Sequence, residues 1–532
     1  MKERFDVAVV GAGFAGSLLA MIAQRLGLRV ILLERGRHPR VVIGESSTPL
    51  SNLLLEELAI RYDLANLRSL SKWGSWQSSH PEIACGLKRG FSFFHHPPGS
   101  SGAVKRENQL LVAASPHDRI ADTHWYRADF DAYLADEAQQ QGVAYLDEVE
   151  LRECADDGRT ARLSGVRKGR EVEVAARFVV DATGPRGFLH RALGLGEHEL
   201  PGTPATASLY SHFSGVRRLD ETGGAALQGE PPYPIDDAAV HHVFDGGWVW
   251  VLQFCNGVTS AGIAATDSLA QELRLAEGEA AWKRVLERIP VLREQFRDAK
   301  TVQPFRHIPR LGFRSAAVCG RNWALLPSAA GFVDPLLSTG FPLTLLGVSR
   351  LAEMLEREWD TNHFAPRLEE YAARTDAELV ATARLIGALY ANLGNFPVFS
   401  AVSLLYFAAA SYAETARRLG RPQLASSFLL HDHPHFGSEC KRALERASAV
   451  RSQRASEAVI EEIFRVIEPV DVAGLGNRAR RSWYPVDAED LLRAAHKLGA
   501  TRDEILQMLE RCGFSASAPS QVREQIELDV PR

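Results

Sequence analysis

The strongest constraint on this chain is a set of three glycines, Gly11, Gly13 and Gly16, between an apolar strand and a helix. Residues 5–10 (Phe-Asp-Val-Ala-Val-Val) are short, apolar and rich in β-branched side chains, which suits a buried parallel strand. Residues 17–27 read as a helix ending at Gly27, and residues 29–34 as a second strand closing on Glu34. Strand, glycine turn, helix, strand and acid in that order form a dinucleotide-binding unit. Gly11 permits the tight turn, Gly13 admits the pyrophosphate to the backbone, and Gly16 seats the helix close on the strand. The helix start adds free N–H groups and a positive dipole end. Glu34 follows Gly11 by 23 residues, where ribose hydroxyls are expected. Phe14 and Ala15 within the turn, and Arg35 beside the acid, complete this group of candidate contacts.

A chain of 532 residues exceeds one core and suggests about three domains. A net charge of −5 without a basic stripe does not imply a nucleic-acid partner. Six cysteines are scattered with no CxxC, which fits a reducing, cytoplasmic setting without disulfides. The first strand begins at Phe5, so no signal peptide is expected. His95-His96 and the histidines of 431–435 lack a third ligand at a suitable spacing, so no metal is expected. The longest uncharged run, residues 396–412, is 17 residues with a proline near its start, short for a membrane span. A buried helix is the preferred reading, with a monotopic membrane contact as the alternative.

Two later segments bear on which dinucleotide is bound. Residues 177–184 (Arg-Phe-Val-Val-Asp-Ala-Thr-Gly) and 323–335 (Trp-Ala-Leu-Leu-Pro-Ser-Ala-Ala-Gly-Phe-Val-Asp-Pro) each run from a strand into a small-residue turn. With the first turn they resemble the glutathione-reductase-type FAD fold of flavin monooxygenases. That resemblance implies FAD contacts at Asp181, Gly184, Ser328 and Asp334. Pro327-Ser328 stands where the family has Gly-Asp, so a hydroxyl replaces the ribityl-contacting carboxylate. The expected class is α/β: a discontinuous FAD-binding domain (1–70, 105–195, 300–350), a β-rich substrate domain (71–104, 196–299) and a mostly helical C-terminal region (351–532). The tail after Pro485 reads as two short helices and then loose polar residues.

Four segments narrow the family. They are Gly44-Glu45-Ser46-Ser47-Thr48-Pro49, then Lys88-Arg89-Gly90-Phe91-Ser92-Phe93, then Trp248-Val249-Trp250, and residues 331–340 with Asp334-Pro335 and Ser338-Thr339-Gly340. They resemble, in order, the flavin-side strap, the lysine strand, the Trp-x-Trp signature and the halide loop of flavin-dependent halogenases. Arg127, in His-Trp-Tyr-Arg before Asp129-Phe-Asp131, resembles that family's entry into an FAD-contacting helix. The resemblance implies that Glu45, Ser46 and Arg127 contact FAD. It implies that Ser338, Thr339 and Gly340 hold chloride or bromide in an anion nest. It further implies that Lys88 holds hypohalous acid or carries the halogen, and that Trp248 and Trp250 pack beside the flavin.

No second glycine turn marks a nicotinamide domain, so reduced FAD is expected from a separate reductase. Leu337 occupies the position where tryptophan-specific members carry glutamate, which favours a phenol- or pyrrole-like substrate, free or carrier-tethered. The Trp-x-Trp strand continues Val-Leu-Gln where the family has Ile-Pro. A flavin monooxygenase or dehydrogenase on this fold, with Lys88 structural, and a non-catalytic FAD-binding protein stay open as alternatives. The sequence does not choose an oligomeric state.

Overall fold

The structure is a computed structural model describing residues 4–227 and 229–514; the polar tail expected at the C-terminus lies outside the described residues from 515 onward. Two large sheets organise the chain. In the first, strand Arg4–Val10 lies between Val30–Leu33 and Arg170–Asp181, parallel to both. Val7, Ala8 and Val9 are fully buried, as expected where both faces of a parallel sheet are covered. Trp323–Leu325 extends the sheet beyond Arg170–Asp181, again in parallel. Val10 pairs with Asp181, and Asp181 with Leu325. Three strands that lie far apart in sequence thus end level, and the turns that follow them open at one edge. In an open parallel sheet, that carboxyl edge is where ligands bind.

The second sheet has nine strands and is largely antiparallel. Its centre runs Thr206–Ser214, Val258–Thr266, Gly247–Gln253, Ala239–Phe244, Gly90–His95 and Gln109–Ala113. Ala239–Phe244 pairs in parallel with Gly90–His95, and Trp483–Tyr484 joins the far edge from the C-terminal region. Gln109–Ala113 lies in this sheet too, because Leu110 and Leu111 pair with Phe93 and Ser92. The two-residue period of a strand sorts its side chains between faces. Trp248, Trp250 and Leu252 enter the main core, whereas Val249 and Val251 enter a second core behind the sheet. Phe93 and Phe94 divide in the same way.

Helices Gly340–Arg357, Phe364–Tyr390 and Phe396–Arg418 follow in sequence. Phe396–Arg418 is long and apolar enough to cross a membrane by length and composition, yet 78% of its apolar window is buried inside the protein. Phe399 meets Phe93 edge-on at 5.7 Å and Phe407 meets Phe91 at 5.0 Å, so the helix covers the tryptophan-bearing face of the second sheet. Beyond Pro485, helices Ala488–Arg493 and Arg502–Arg511 close the described chain; Thr501 and Glu504 form a capping box on the second.

Candidate active site

The glycine turn is fixed by steric contact. A Cβ on Gly16 would lie 2.0 Å from the Gly11 carbonyl oxygen, and Gly11 itself has φ of +102°. No other residue satisfies both positions cheaply. Glu34 ends its strand by folding back on the turn, accepting hydrogen bonds from the Ala12 amide (2.9 Å), the Gly36 amide (2.7 Å) and Arg40 (3.0 Å). Burial pushes its carboxyl up, but Arg40 and the two amides outweigh that and hold it below the usual range.

A cavity of about 810 Å³ starts at this turn, with Gly11, Gly13, Phe14, Ala15, Glu34 and Arg35 in its wall. It passes Gly44, Glu45, Ser46, Arg127 and Gly184, and reaches Trp248, Trp250, Ser328, Asp334 and Ser338–Gly340. Its first end has the steric signature of a pyrophosphate cradle; its other end is aromatic. An elongated dinucleotide with a flat ring system therefore fits the residues present.

Several expected contacts have other duties. Arg127 grips Asp131 with two hydrogen bonds (2.7 and 2.8 Å) and donates a third to the Gly44 carbonyl at 2.8 Å, so it ties the strap to helix Arg127–Gln140 while lining the cavity. Asp181 does not line the cavity. Its carboxylate accepts from the Thr183 amide (2.8 Å), the Thr183 hydroxyl (2.6 Å) and the Leu189 amide (2.6 Å), which shapes the turn that presents Gly184. Gly16 lies behind the turn and acts through packing.

The strap brings two buried ionisable groups to the cavity. One Glu45 carboxylate oxygen lies 2.7 Å from His212 Nε2, both side chains being 1% exposed. The other Glu45 oxygen has no protein partner although Glu45 lines the cavity. Lys88 lies opposite Asp122 in the two-stranded pairing of Cys85–Lys88 with Asp122–Trp125. Its amine donates to the Ser46 hydroxyl at 2.9 Å and to the Ser47 carbonyl, and sits 3.8 Å from the centre of the Phe91 ring. Lys88 is fully buried and does not itself line the cavity; the Ser46 hydroxyl stands between. Burial lowers its pKa to about 7 against the opposing pull of Asp122, and burial raises Asp122 to about 7 against Lys88.

At the aromatic end, Trp248 and Trp250 share a face with ring centres 5.6 Å apart. Trp248 Nε1 donates to the Tyr390 hydroxyl at 3.2 Å, which donates to Asp334 at 2.8 Å. Asp334 also accepts from the Leu336 amide at 3.0 Å, and burial raises its pKa to about 7. The loop then carries two consecutive non-glycine residues with positive φ, Leu337 at 64° and Ser338 at 55°, before helix Gly340–Arg357 begins. Such strain persists only where the surroundings hold it, here partly through Tyr406 donating to the Leu337 carbonyl at 3.1 Å.

Sequence reasoning missed four groups. His241 lines the cavity, stacked 4.5 Å from Phe93 and tilted against Trp248 at 5.3 Å. Burial, then the nearby Lys88, lowers its pKa to about 3. Strand alternation in residues 240–244 signalled a histidine on the cavity face. Asp122, His212 and Tyr390 gave no such signal, because each acts through a partner distant in sequence.

The profile of the tryptophan halogenase family matches residues 122–393. The chain is 27% identical over 533 residues to tetracycline 7-halogenase of Kitasatospora aureofaciens, covering 95% of this chain and 92% of that protein. It is 29% identical over 384 residues to monodechloroaminopyrrolnitrin halogenase PrnC of Pseudomonas fluorescens, covering 71% of this chain and 66% of that one. In fold it is similar to the crystal structure of halogenase PltM in complex with phloroglucinol and FAD, with a TM-score of 0.79 and 21% identity over 90% of this chain and 99% of that chain. The alternatives of a hydroxylating, dehydrogenating or non-catalytic relative therefore give way: the chain belongs to the flavin-dependent halogenase family and is an FAD-dependent halogenase.

Proposed function

We propose that this enzyme halogenates an electron-rich aromatic, phenol- or pyrrole-like, with Lys88 as the residue that delivers the halogen. The observation that carries this reading is a buried amine of lowered pKa 2.9 Å from Ser46, a residue of the cavity wall. Bound FAD, supplied reduced by a separate reductase, provides the activation of dioxygen that oxidises chloride or bromide to hypohalous acid. The chain's own residues do the rest. Gly11, Gly13 and the turn after Asp181 bind and orient the nucleotide. Ser338, Thr339 and Gly340, at the start of an 18-residue helix, offer amides to a halide. Trp248 and Trp250 wall the cavity so that the oxidant, not the aromatic, passes between sites.

Near neutral pH the Lys88 nitrogen exchanges between ammonium and amine. The ammonium donates to the Ser46 hydroxyl, which is placed to donate to hypohalous acid in the cavity; the amine takes the halogen as a haloamine only when the Ser46 side chain turns aside. The Ser46 hydroxyl is the amine's contact with the cavity. Leu337, fully buried in the halide loop, offers no carboxylate, which disfavours free tryptophan. Support for a carrier-tethered pyrrole comes from 28% identity over 349 residues to the 1H-pyrrole-2-carbonyl-[peptidyl-carrier protein] chlorinase of Pseudomonas fluorescens. The test is incubation of the FAD-loaded enzyme with a flavin reductase, bromide and a panel of phenols and pyrroles, free and carrier-bound. The expected result is a brominated product that requires bromide. Hydroxylated products, or none across the panel, would refute the substrate class.

A further inference from the structure

Cys85 and Cys255 lie 170 positions apart in the sequence and meet in the structure. The Cys255 amide donates to the Cys85 carbonyl at 2.9 Å, which sets the two residues side by side. A backbone bond of that kind puts the two Cα atoms at neighbouring-strand spacing, roughly 4.5–5.5 Å, inside the range a disulfide spans. The approach is tight: a Cβ on Gly86 would lie 2.0 Å from the Gln253 carbonyl oxygen. The two thiols are placed asymmetrically. Cys255 is exposed at the turn between strands Gly247–Gln253 and Val258–Thr266, whereas Cys85 is buried beneath it and accepts from Gln77 at 3.2 Å. The neighbouring Cys85 lowers the Cys255 thiol from its ordinary range and so favours its thiolate, while burial pushes Cys85 up. An exposed thiolate above a resolving thiol is the arrangement of an oxidation-sensitive pair.

Neither thiol lines the cavity, so the oxidant that reaches them is hypohalous acid that has left it. Cys255 lies three residues beyond Leu252, a cavity-lining residue on the strand of Trp248 and Trp250. Cys85 lies three residues before Lys88 on the strand that carries the amine. We propose that Cys85 and Cys255 form an oxidative modification site at which hypohalous acid escaping the active site is reduced, leaving a disulfide that joins the Lys88 strand to the tryptophan hairpin. The proposal rests on the halogenase reading for its oxidant. The Cys255 thiolate attacks the halogen of hypohalous acid, forming a sulfur–halogen bond and releasing hydroxide. The Cys85 sulfur then attacks the Cys255 sulfur, forming the S–S bond, expelling halide and losing its proton to the hydroxide. Two thiols and one hypohalous acid become one disulfide, one hydrogen halide and one water; sulfur is oxidised and the halogen reduced.

The test is turnover of FAD-loaded enzyme with reductase, bromide and catalase but no aromatic, followed by thiol titration and peptide mass spectrometry. We expect free thiols to fall from the six of the sequence to four, with a linked 85–255 peptide lighter by two hydrogens, and no change when bromide is omitted. Cys255→Ser should retain aromatic bromination and show no linkage. Equal linkage without bromide, or the same loss of two thiols in Cys255→Ser, would overturn the proposal. So would no linkage while an aromatic in a parallel reaction is brominated. If the aromatic is not brominated either, hypochlorous acid added directly to the resting holoenzyme decides: linkage supports the thiol site and places the failure in the halogenase reading, and its absence refutes the site.

Discussion

Asp334 makes a quantitative prediction. Its carboxyl is buried at the head of the halide loop, in the cavity wall, and burial raises its pKa from the ordinary 3.8 to about 7. A carboxyl whose folded pKa exceeds its unfolded value binds more protons folded than unfolded between those two values. Its contribution to stability is therefore present in full below pH 3.8 and lost as pH rises through about 7. At about 1.4 kcal/mol per pH unit, that interval corresponds to about 4 kcal/mol. Asp334→Asn keeps the shape of the neutral acid and the acceptor for the Leu336 amide, but cannot ionise. The difference in unfolding free energy between Asp334→Asn and wild type should therefore swing in the variant's favour by about 4 kcal/mol between pH 4 and pH 8. Urea unfolding of both proteins at several pH values, followed by tryptophan fluorescence, reads that difference directly. Titrations of other groups cancel between the two proteins. A difference that stays flat with pH, or swings towards wild type as pH rises, would refute the claim that Asp334 is held neutral by burial.

Further outcomes follow from the same contacts. Gly16→Ala, which forces a Cβ to 2.0 Å from the Gly11 carbonyl, should yield protein that retains no FAD, read from flavin absorbance after purification. His212→Ala leaves a buried Glu45 oxygen without its partner, at a cost of about 1–3 kcal/mol; it should lower the melting temperature and weaken FAD retention, and Glu45→Ala on that background should add little further loss. If Lys88 acts as a neutral amine, halogenation should rise as pH increases through about 7. Asp122→Asn, by removing the carboxylate that supports the ammonium form, should move that limb to lower pH in initial-rate profiles.

How much of this was legible in the sequence depends on the range of the interaction. Gly11 and Gly16 could be read because backbone crowding there is local. Trp248 and Trp250 could be assigned to one face because strand alternation is local as well. The apolar run from Phe396 could be read as a helix, but length does not make it a core helix: it continues to Arg418, long enough for a bilayer, and its burial against the second sheet decides. Asp181 was drawn to the cofactor by its motif, but three short hydrogen bonds spend its carboxylate on the turn. Lys88 could be singled out by the glycine and phenylalanine that follow it, but its depth could not. Phe91, the Ser47 carbonyl and Asp122 hold the amine one residue behind the cavity wall. The Glu45–His212 contact joins positions 167 apart, and Tyr390 reaches Asp334 across 56. Such pairings depend on how the two sheets and the covering helices stack, and no local pattern encodes that.

The central claim concerns the amine at position 88, and Lys88→Ala tests it most directly. The variant and wild type are loaded with FAD, supplied with reductase, bromide and an aromatic substrate, and assayed side by side for brominated aromatic and for free hypobromous acid caught by a trapping reagent. The account predicts that Lys88→Ala keeps its flavin and still releases hypobromous acid, yet loses the brominated aromatic by about 10²-fold or more, the scale of a positioned proton donor. Equal bromination in the two proteins, with FAD bound in both, would contradict it.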